Sequence, residues 1–305
     1  MAFGAHLIKN GLSPTLQELI KLGWITHLAT NGAGIIHDWE FAYNGASSEH
    51  VEVNVKSGTF GLWHETGKYL NLAIIVGAYE GLGYGESIGS LVSNDGLLLP
   101  QAEDLRCEIA SIQQDPRKVS AVADLLWAME EFGLEGGMMK VEHRFKRFGL
   151  QSAAFDLGVP FTAHPMFGHD IIYAHPYNLG SAIGRTAEAD FLSFADSVSA
   201  LSGGVYLSIG SSIMSPMIFE KCLSMAQNLA AQRSDCIEDF DIVVVDLAES
   251  TWDWSEGEPP VDNPAYYVRY MKSFSRMGGR LQYIQADNRA FLTTLCRSLK
   301  EISHC

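Results

Sequence analysis

Trp24-Ile-Thr-His-Leu-Ala-Thr-Asn-Gly-Ala-Gly34 decides the fold. Trp24 to Thr30 reads as a short buried strand. Asn31-Gly32-Ala33-Gly34 then turns the chain into a helix through His37 and Asp38. Strand, small-residue turn and helix together make the basic unit of an α/β fold. Small residues let backbone approach a pyrophosphate, and the helix that follows favours negative charge at its start. An ordinary strand-to-helix turn has the same composition, so the stretch alone leaves both readings open.

Outward from it the alternation recurs. Leu16 to Leu22 has helical apolar spacing and stops at Gly23, and His64 to Gly81 is helical. The cluster Gly81-Leu-Gly-Tyr-Gly85, with Gly89, imitates a dinucleotide fingerprint, but it follows a helix and lacks an acid at the right distance, so it is set aside. Asp115 caps an amphipathic helix with Pro116 at its first position, ending near Gly133. Farther on, Val159–Ala163, Ile171–Ala174, Gly204–Ile209, Phe240–Leu247 and Leu281–Ala286 read as strands. Helices over Ala187–Leu201 and Met217–Ala231, and one at the C-terminus, alternate with them. Apolar strands alternating with helices predict a doubly wound, mainly parallel sheet with helices on both faces, a Rossmann-like α/β fold. No repeat or linker interrupts residues 1–305, which read as a single domain.

Composition narrows the function. The chain carries 21 Lys plus Arg against 36 Asp plus Glu, a formal charge of -15, which repels phosphate backbones and excludes nucleic acid as the expected partner. Amines would be attracted, although acidity also simply keeps a protein in solution. The five cysteines, at 107, 222, 236, 296 and 305, form no CxxC pair and fit a reducing cytoplasm. No apolar run approaches the ~20 residues of a membrane span.

Four segments are placed where ligands of such sheets bind, at strand ends: Thr30, Asn31, Gly32, Ala33 and Gly34 with Asp38; His164 to Asp170 with His175; Gly210 and Ser211; and Ala286 with Asp287. Three histidines and an acid in the second segment suggest a metal, but the spacing is wrong for one, and no metal is expected. An acid such as Asp287 can hold ribose hydroxyls or cap the next helix. Glu249, Trp252, Asp253 and Trp254 combine carboxylates with indole faces, as an alkylammonium ligand requires; the alternative is a solvated loop whose tryptophans dock on the core. Lys272, beside aromatics, could form a Schiff base if desolvated.

The order of these segments resembles the deoxyhypusine synthase family across nearly the whole chain. Gly4-Ala-His-Leu-Ile-Lys-Asn-Gly-Leu12 is similar to its Gly-Ser-Asn-Leu-Ile-x-x-Gly-Leu opening, and Thr30-Asn-Gly-Ala-Gly-Ile-Ile-His-Asp38 to its Thr-Thr-Ala-Gly-Gly-x-x-x-Asp loop. Gly168-His-Asp170 with His175, Pro264 to Lys272, and Tyr283-Ile-Gln-Ala-Asp287 fall in register with further motifs. The resemblance implies NAD held by residues 30–38, His6, Asp170, Gly210, Ser211, Ala286 and Asp287, in a homotetramer with sites at subunit interfaces. It also implies transfer of an aminobutyl group from a polyamine through an imine on Lys272. His175 would serve as base, Tyr270 would stand over the polyamine, and Glu249, Trp252 and Asp253 would help bind it. The family's catalytic histidine is missing from Gly210-Ser-Ser-Ile-Met-Ser-Pro216, and Ala265 and Tyr266 replace its substrate-binding acid. Two other functions therefore stand beside this one. One is NAD-assisted oxidation or cyclodeamination of an amine without a covalent lysine, since His37-Asp38-x-Glu40-x-Ala42 is similar to archaeal ornithine cyclodeaminases. The other is NAD binding without catalysis.

Overall fold

Strands that are apolar on both faces can pair only in the interior, and the eight strands among the described residues follow that rule in one sheet and depart from it in another. In the computed structural model, which describes residues 1–303, they are β1 (Ala2–Phe3), β2 (Leu28–Thr30), β3 (Gly96–Leu99), β4 (Gly137–Lys140), β5 (Phe161–Ala163), β6 (Val205–Ile209), β7 (Asp241–Asp246) and β8 (Arg280–Gln285). Six form one sheet in the order β5-β2-β1-β6-β7-β8, every neighbour parallel. Numbered within that sheet alone, the order is 3-2-1-4-5-6, the arrangement of dinucleotide-binding α/β folds. The fold is Rossmann-like, as the alternation predicts.

The chain packs as two compact units. The first comprises Met1–Gly34, Val159–His164 and the chain from Phe191 onward, and holds the whole parallel sheet. Its central strands are sealed: Ala2, Phe3, Leu28, Ala29 and Ile242 are fully buried. Beside β6, Tyr206 stacks on Phe219 with ring centroids 3.9 Å apart, and Phe240 and Phe274 close the cluster. Each such buried ring contributes about 2–3 kcal/mol by leaving water. The edge strand β8 alternates at its start, exposed Arg280, buried Leu281, exposed Gln282. Arg280 meets Asp239 and Asp241 there.

The second unit comprises Ile35–Gly158 and Pro165–Asp190 and is mainly helical, with β3 and β4 paired antiparallel. Its helix His64–Glu80 buries every residue from Leu70 to Ala78, as a central helix apolar on all sides must. The glycine cluster is packing rather than a phosphate loop. Gly81 ends that helix at φ +81°. A Cβ on Gly83 would lie 1.8 Å from the Asp190 carboxylate, which accepts the Gly85 N–H at 2.9 Å. One on Gly77 would lie 1.8 Å from Ser87 Oγ.

Two local expectations change. Ile171–Ala174 is a short 3-10 turn, not a strand: Gly168 is left-handed at φ +86°, and no strand among the described residues pairs with the segment. The strand expected from Trp24 begins only at Leu28. Trp24 is half-exposed, its indole donating to Ser303 Oγ. β1, β3 and β4 carry no alternation by which a sequence could reveal them. Cys305 lies outside the described residues. Among the described residues no helix is long and apolar enough to cross a membrane.

Candidate functional site: the switch point of the parallel sheet

In the order 3-2-1-4-5-6 the chain leaves β1 toward one edge and enters β6 toward the other, and the loops following those two strands part to leave a crevice. Here they are Gly4-Ala5-His6 and Gly210-Ser211-Ser212. Gly4 N–H continues the ladder to Ile209 O at 3.1 Å, and Gly210 N–H to Val245 O at 2.9 Å. A Cβ on Gly4 would sit 2.2 Å from Gly210 O, so only glycine fits between the two strand ends. Gly210 is exposed and left-handed at φ +57°, and a Cβ there would meet nothing within 4 Å. The crevice therefore has one sealed wall and one open side.

The third wall is the turn after β2. Thr30 Oγ1 donates to Phe3 O at 2.9 Å, and a Cβ on Gly34 would lie 2.2 Å from Thr30 Oγ1. The Asn31 side chain accepts the Gly34 N–H at 2.9 Å and so caps the helix Gly32–Asn44. The first-turn N–H groups of Gly32 and Ala33 have no intrahelical acceptor and are suited to an anion. His6 is exposed in the short helix His6–Lys9, and Ser211 Oγ accepts the Ser215 N–H at 3.2 Å. Thr30 to Gly34, His6, Gly210 and Ser211 thus belong to adjacent strand ends of one unit.

Other expected residues are committed elsewhere. Asp38, expected at the cofactor, is buried in the second unit. There it accepts the backbone N–H groups of Leu150 and Gln151, both at 2.9 Å, and Gln151 Nε2 at 3.2 Å. It caps the helix Leu150–Asp156. Asp170 receives the Tyr173 hydroxyl at 2.7 Å, and burial pushes its carboxyl above the ordinary range. His175, expected as base, uses both ring nitrogens. Nδ1 accepts the Tyr177 N–H, which leaves the proton on Nε2, 3.2 Å from His64 Nδ1. Burial, then His64 and Lys68, pull its pKa down.

Asp287 caps the last helix, Asn288–Ser303, accepting the Arg289 N–H and the Arg289 guanidinium, whose hydrogen bonds hold it at about 2. Ala286 continues the ladder by donating to Asp246 O. β8 lies four strand spacings from β2, about 19 Å at ~4.8 Å each. Within one chain, the 30–34 turn and Asp287 do not converge on one adenosine.

The loop after β7 settles in favour of docking. Trp254 is buried and donates to Ser250 Oγ, Trp252 donates to Gly257 O, and Asp253 accepts the Ser255 N–H. Glu249 is exposed, and Tyr270 packs against the sheet's core. Lys272 Nζ lies 2.9 Å from Glu258 and 3.3 Å from the centre of the Tyr266 ring; Arg276 shares Glu258. Partial burial pulls the ammonium down, but Tyr266 and Glu258 outweigh it and hold its pKa above the ordinary value. A protonated, paired lysine is a poor imine former. Among the described residues no group of three or more His, Cys, Asp or Glu side chains is placed for a metal.

Gly4 is the site residue that sequence reasoning did not assign. Its signal, a glycine directly after a strand, was hidden because that strand is two residues long.

Fold and strand order together define a Rossmann-like α/β protein with a switch point between β1 and β6. No family model and no curated protein matches the chain. A solved structure of a "conserved putative LOR/SDH protein" from Methanococcus maripaludis S2 aligns with 99% of this chain at 14% identity and a TM-score of 0.42, and this chain spans 60% of that protein's length.

Proposed function

We propose that the chain is an NAD-dependent enzyme acting on an amine, with the dinucleotide lying across the carboxyl ends of β1 and β6. The observation that carries the cofactor is the open side at Gly210, beside the Gly4–Gly210 contact of the switch point, a cradle where a Cβ would meet nothing within 4 Å. Bound NAD would accept hydride from the carbon beside an amine. Gly210 would admit the pyrophosphate to the backbone, and the Gly32 and Ala33 N–H groups would bear on its charge. The acidic chain would draw a cationic substrate.

The resemblance supports a deoxyhypusine synthase-like transfer of an aminobutyl group, with Lys272 as carrier. The Lys272–Glu258 pair favours the second chemistry, oxidation or cyclodeamination without a covalent lysine. Borohydride added to protein incubated with NAD and spermidine separates the two. Label on Lys272 supports the carrier, whereas label only in a small product, with Lys272→Ala active, supports the second. Calorimetric titration with NAD tests the cradle itself. Gly210→Leu is expected to weaken NAD at least about tenfold by filling the open side, beyond the ~1–2 kcal/mol stability cost of a left-handed non-glycine residue. Unchanged affinity in a folded Gly210→Leu protein would remove the cradle.

A further inference from the structure

A second concavity lies wholly within the helical unit, among residues that the dinucleotide reading does not use. It encloses about 490 Å³, within the range of small-molecule sites. Its walls include the rings of Tyr43, Tyr69 and Phe145 and the charged side chains of Lys140, Glu142 and Arg144.

The aromatic wall is held from behind. Tyr43 stacks on Trp39 with centroids 4.8 Å apart and planes 13° from parallel, and the buried Trp39 donates its indole N–H to His143 Nε2 at 3.1 Å. That bond leaves the His143 proton on Nδ1, buried without a hydrogen-bond partner and 3.5 Å from Asp95 Oδ1, which accepts the His143 backbone N–H at 2.9 Å. Tyr69 stands against Tyr43 at 6.1 Å. Phe145 lies on Gly45, where a Cβ would come within 2.8 Å of the ring, so the glycine makes room for it. The rings are therefore positioned before any ligand arrives, which lowers the cost of binding.

Charge selects the ligand. In a chain of net charge -15, this rim brings two cations and one acid together. Lys146, nearby in sequence, is neutralised by Asp95. Lys140 has no carboxylate partner among the described residues, and Arg144 reaches Glu142 only at 3.6 Å, with both side chains about three-quarters exposed. Exposed pairs of this kind are weak and yield readily to a better anion. An aromatic cage for an amine would instead need the acid in excess.

We propose that this cavity is a ligand site separate from the sheet crevice, taking a planar aromatic molecule that carries a carboxylate or a phosphate. The ring packs against Tyr43, Tyr69 and Phe145, and the oxyanion meets Lys140 and Arg144. Two sources share that chemistry, a mononucleotide and an aryl carboxylate.

The test is calorimetry on the full chain with adenosine 5′-monophosphate and with indole-3-acetate, using adenosine and indole as uncharged counterparts. At least one anion should bind, at least about tenfold more tightly than its uncharged counterpart, and the one that does identifies the source. Lys140→Glu changes an exposed side chain and should weaken that anion at least about tenfold while leaving NAD affinity unaltered. Tyr69→Ala should weaken it as well. If neither anion binds, or if Lys140→Glu and Tyr69→Ala leave the affinity unchanged, the site is refuted. Gly210→Leu should leave this binding intact, so its loss and the loss of NAD binding are read separately.

Discussion

Replacing Asp38 by alanine is expected to lower the unfolding free energy by about 3–5 kcal/mol, a large share of the ~5–15 kcal/mol that holds a typical domain together. The carboxylate is almost wholly buried and accepts three N–H groups, two of them from the first turn of the helix Leu150–Asp156. Alanine leaves those donors in the interior without water, and each buried unsatisfied donor costs about 1–3 kcal/mol. Asp38→Asn keeps one acceptor oxygen and should fall between the two. Urea unfolding followed by circular dichroism measures the loss. A midpoint for Asp38→Ala equal to that of the parent chain would mean that the residue is free for the cofactor role its sequence context suggests.

Acid should unfold the sheet unit through two histidines. His27 Nδ1 is 2.7 Å from Ser197 Oγ, and its Nε2 is 3.0 Å from Thr162 Oγ1, which also lies 3.0 Å from His164 Nε2. Thr162 has one hydroxyl proton, so at most one of the two Nε2 atoms can accept it. The other must carry its own. Burial lowers the pKa of His27 to about 3, helped by the N-terminal amine and by His164, and burial alone lowers His164 to about 4. Both rings are neutral in the fold, while in the unfolded chain each takes up a proton below about 6.5. The stability held by these two rings is then complete above pH 6.5 and declines as pH falls from there toward 4, because the unfolded state binds more protons. At ~1.36 kcal/mol per pH unit for each ring, the two together cost about 5 kcal/mol by pH 4.5. Thermal unfolding from pH 8 to 4.5 should show that decline, and the double variant His27→Gln, His164→Gln should make it shallower, leaving the share of the Met1 amine and His143, which burial lowers to about 5 and about 4. A parent chain equally stable at pH 4.5 and pH 7 would show that the rings are charged in the fold.

These two effects also mark where sequence reading stopped. Asp38 follows a small-residue turn and looks like a cofactor acid; only the packing of a helix more than 100 residues later shows that it is a cap. His164 sits in a run of three histidines with metal-like composition, yet it belongs to the sheet unit, whereas His175 belongs to the helical one. Lys272 falls in register with a family lysine, but its pairing with Glu258 depends on a loop whose conformation has no periodic signal. Strands β5 to β8 and most of the long helices were legible, because burial of one face or both imposes a spacing on apolar residues that survives in a single chain. The two-residue β1 is too short to carry any such spacing.

By itself, then, the sequence determined the alternation of strands and helices, the parallel α/β class and the cap at Asp115, since each depends on residues within a few positions of one another. Tertiary structure alone decided that β1 is central, that Gly4 meets Gly210 at the switch point, and that Asp287 stands four strands from the 30–34 turn. The physical reason is that strand pairing is made by backbone groups every residue possesses. Which strands become neighbours is settled by how the whole chain buries its apolar surface, and no local pattern records the result.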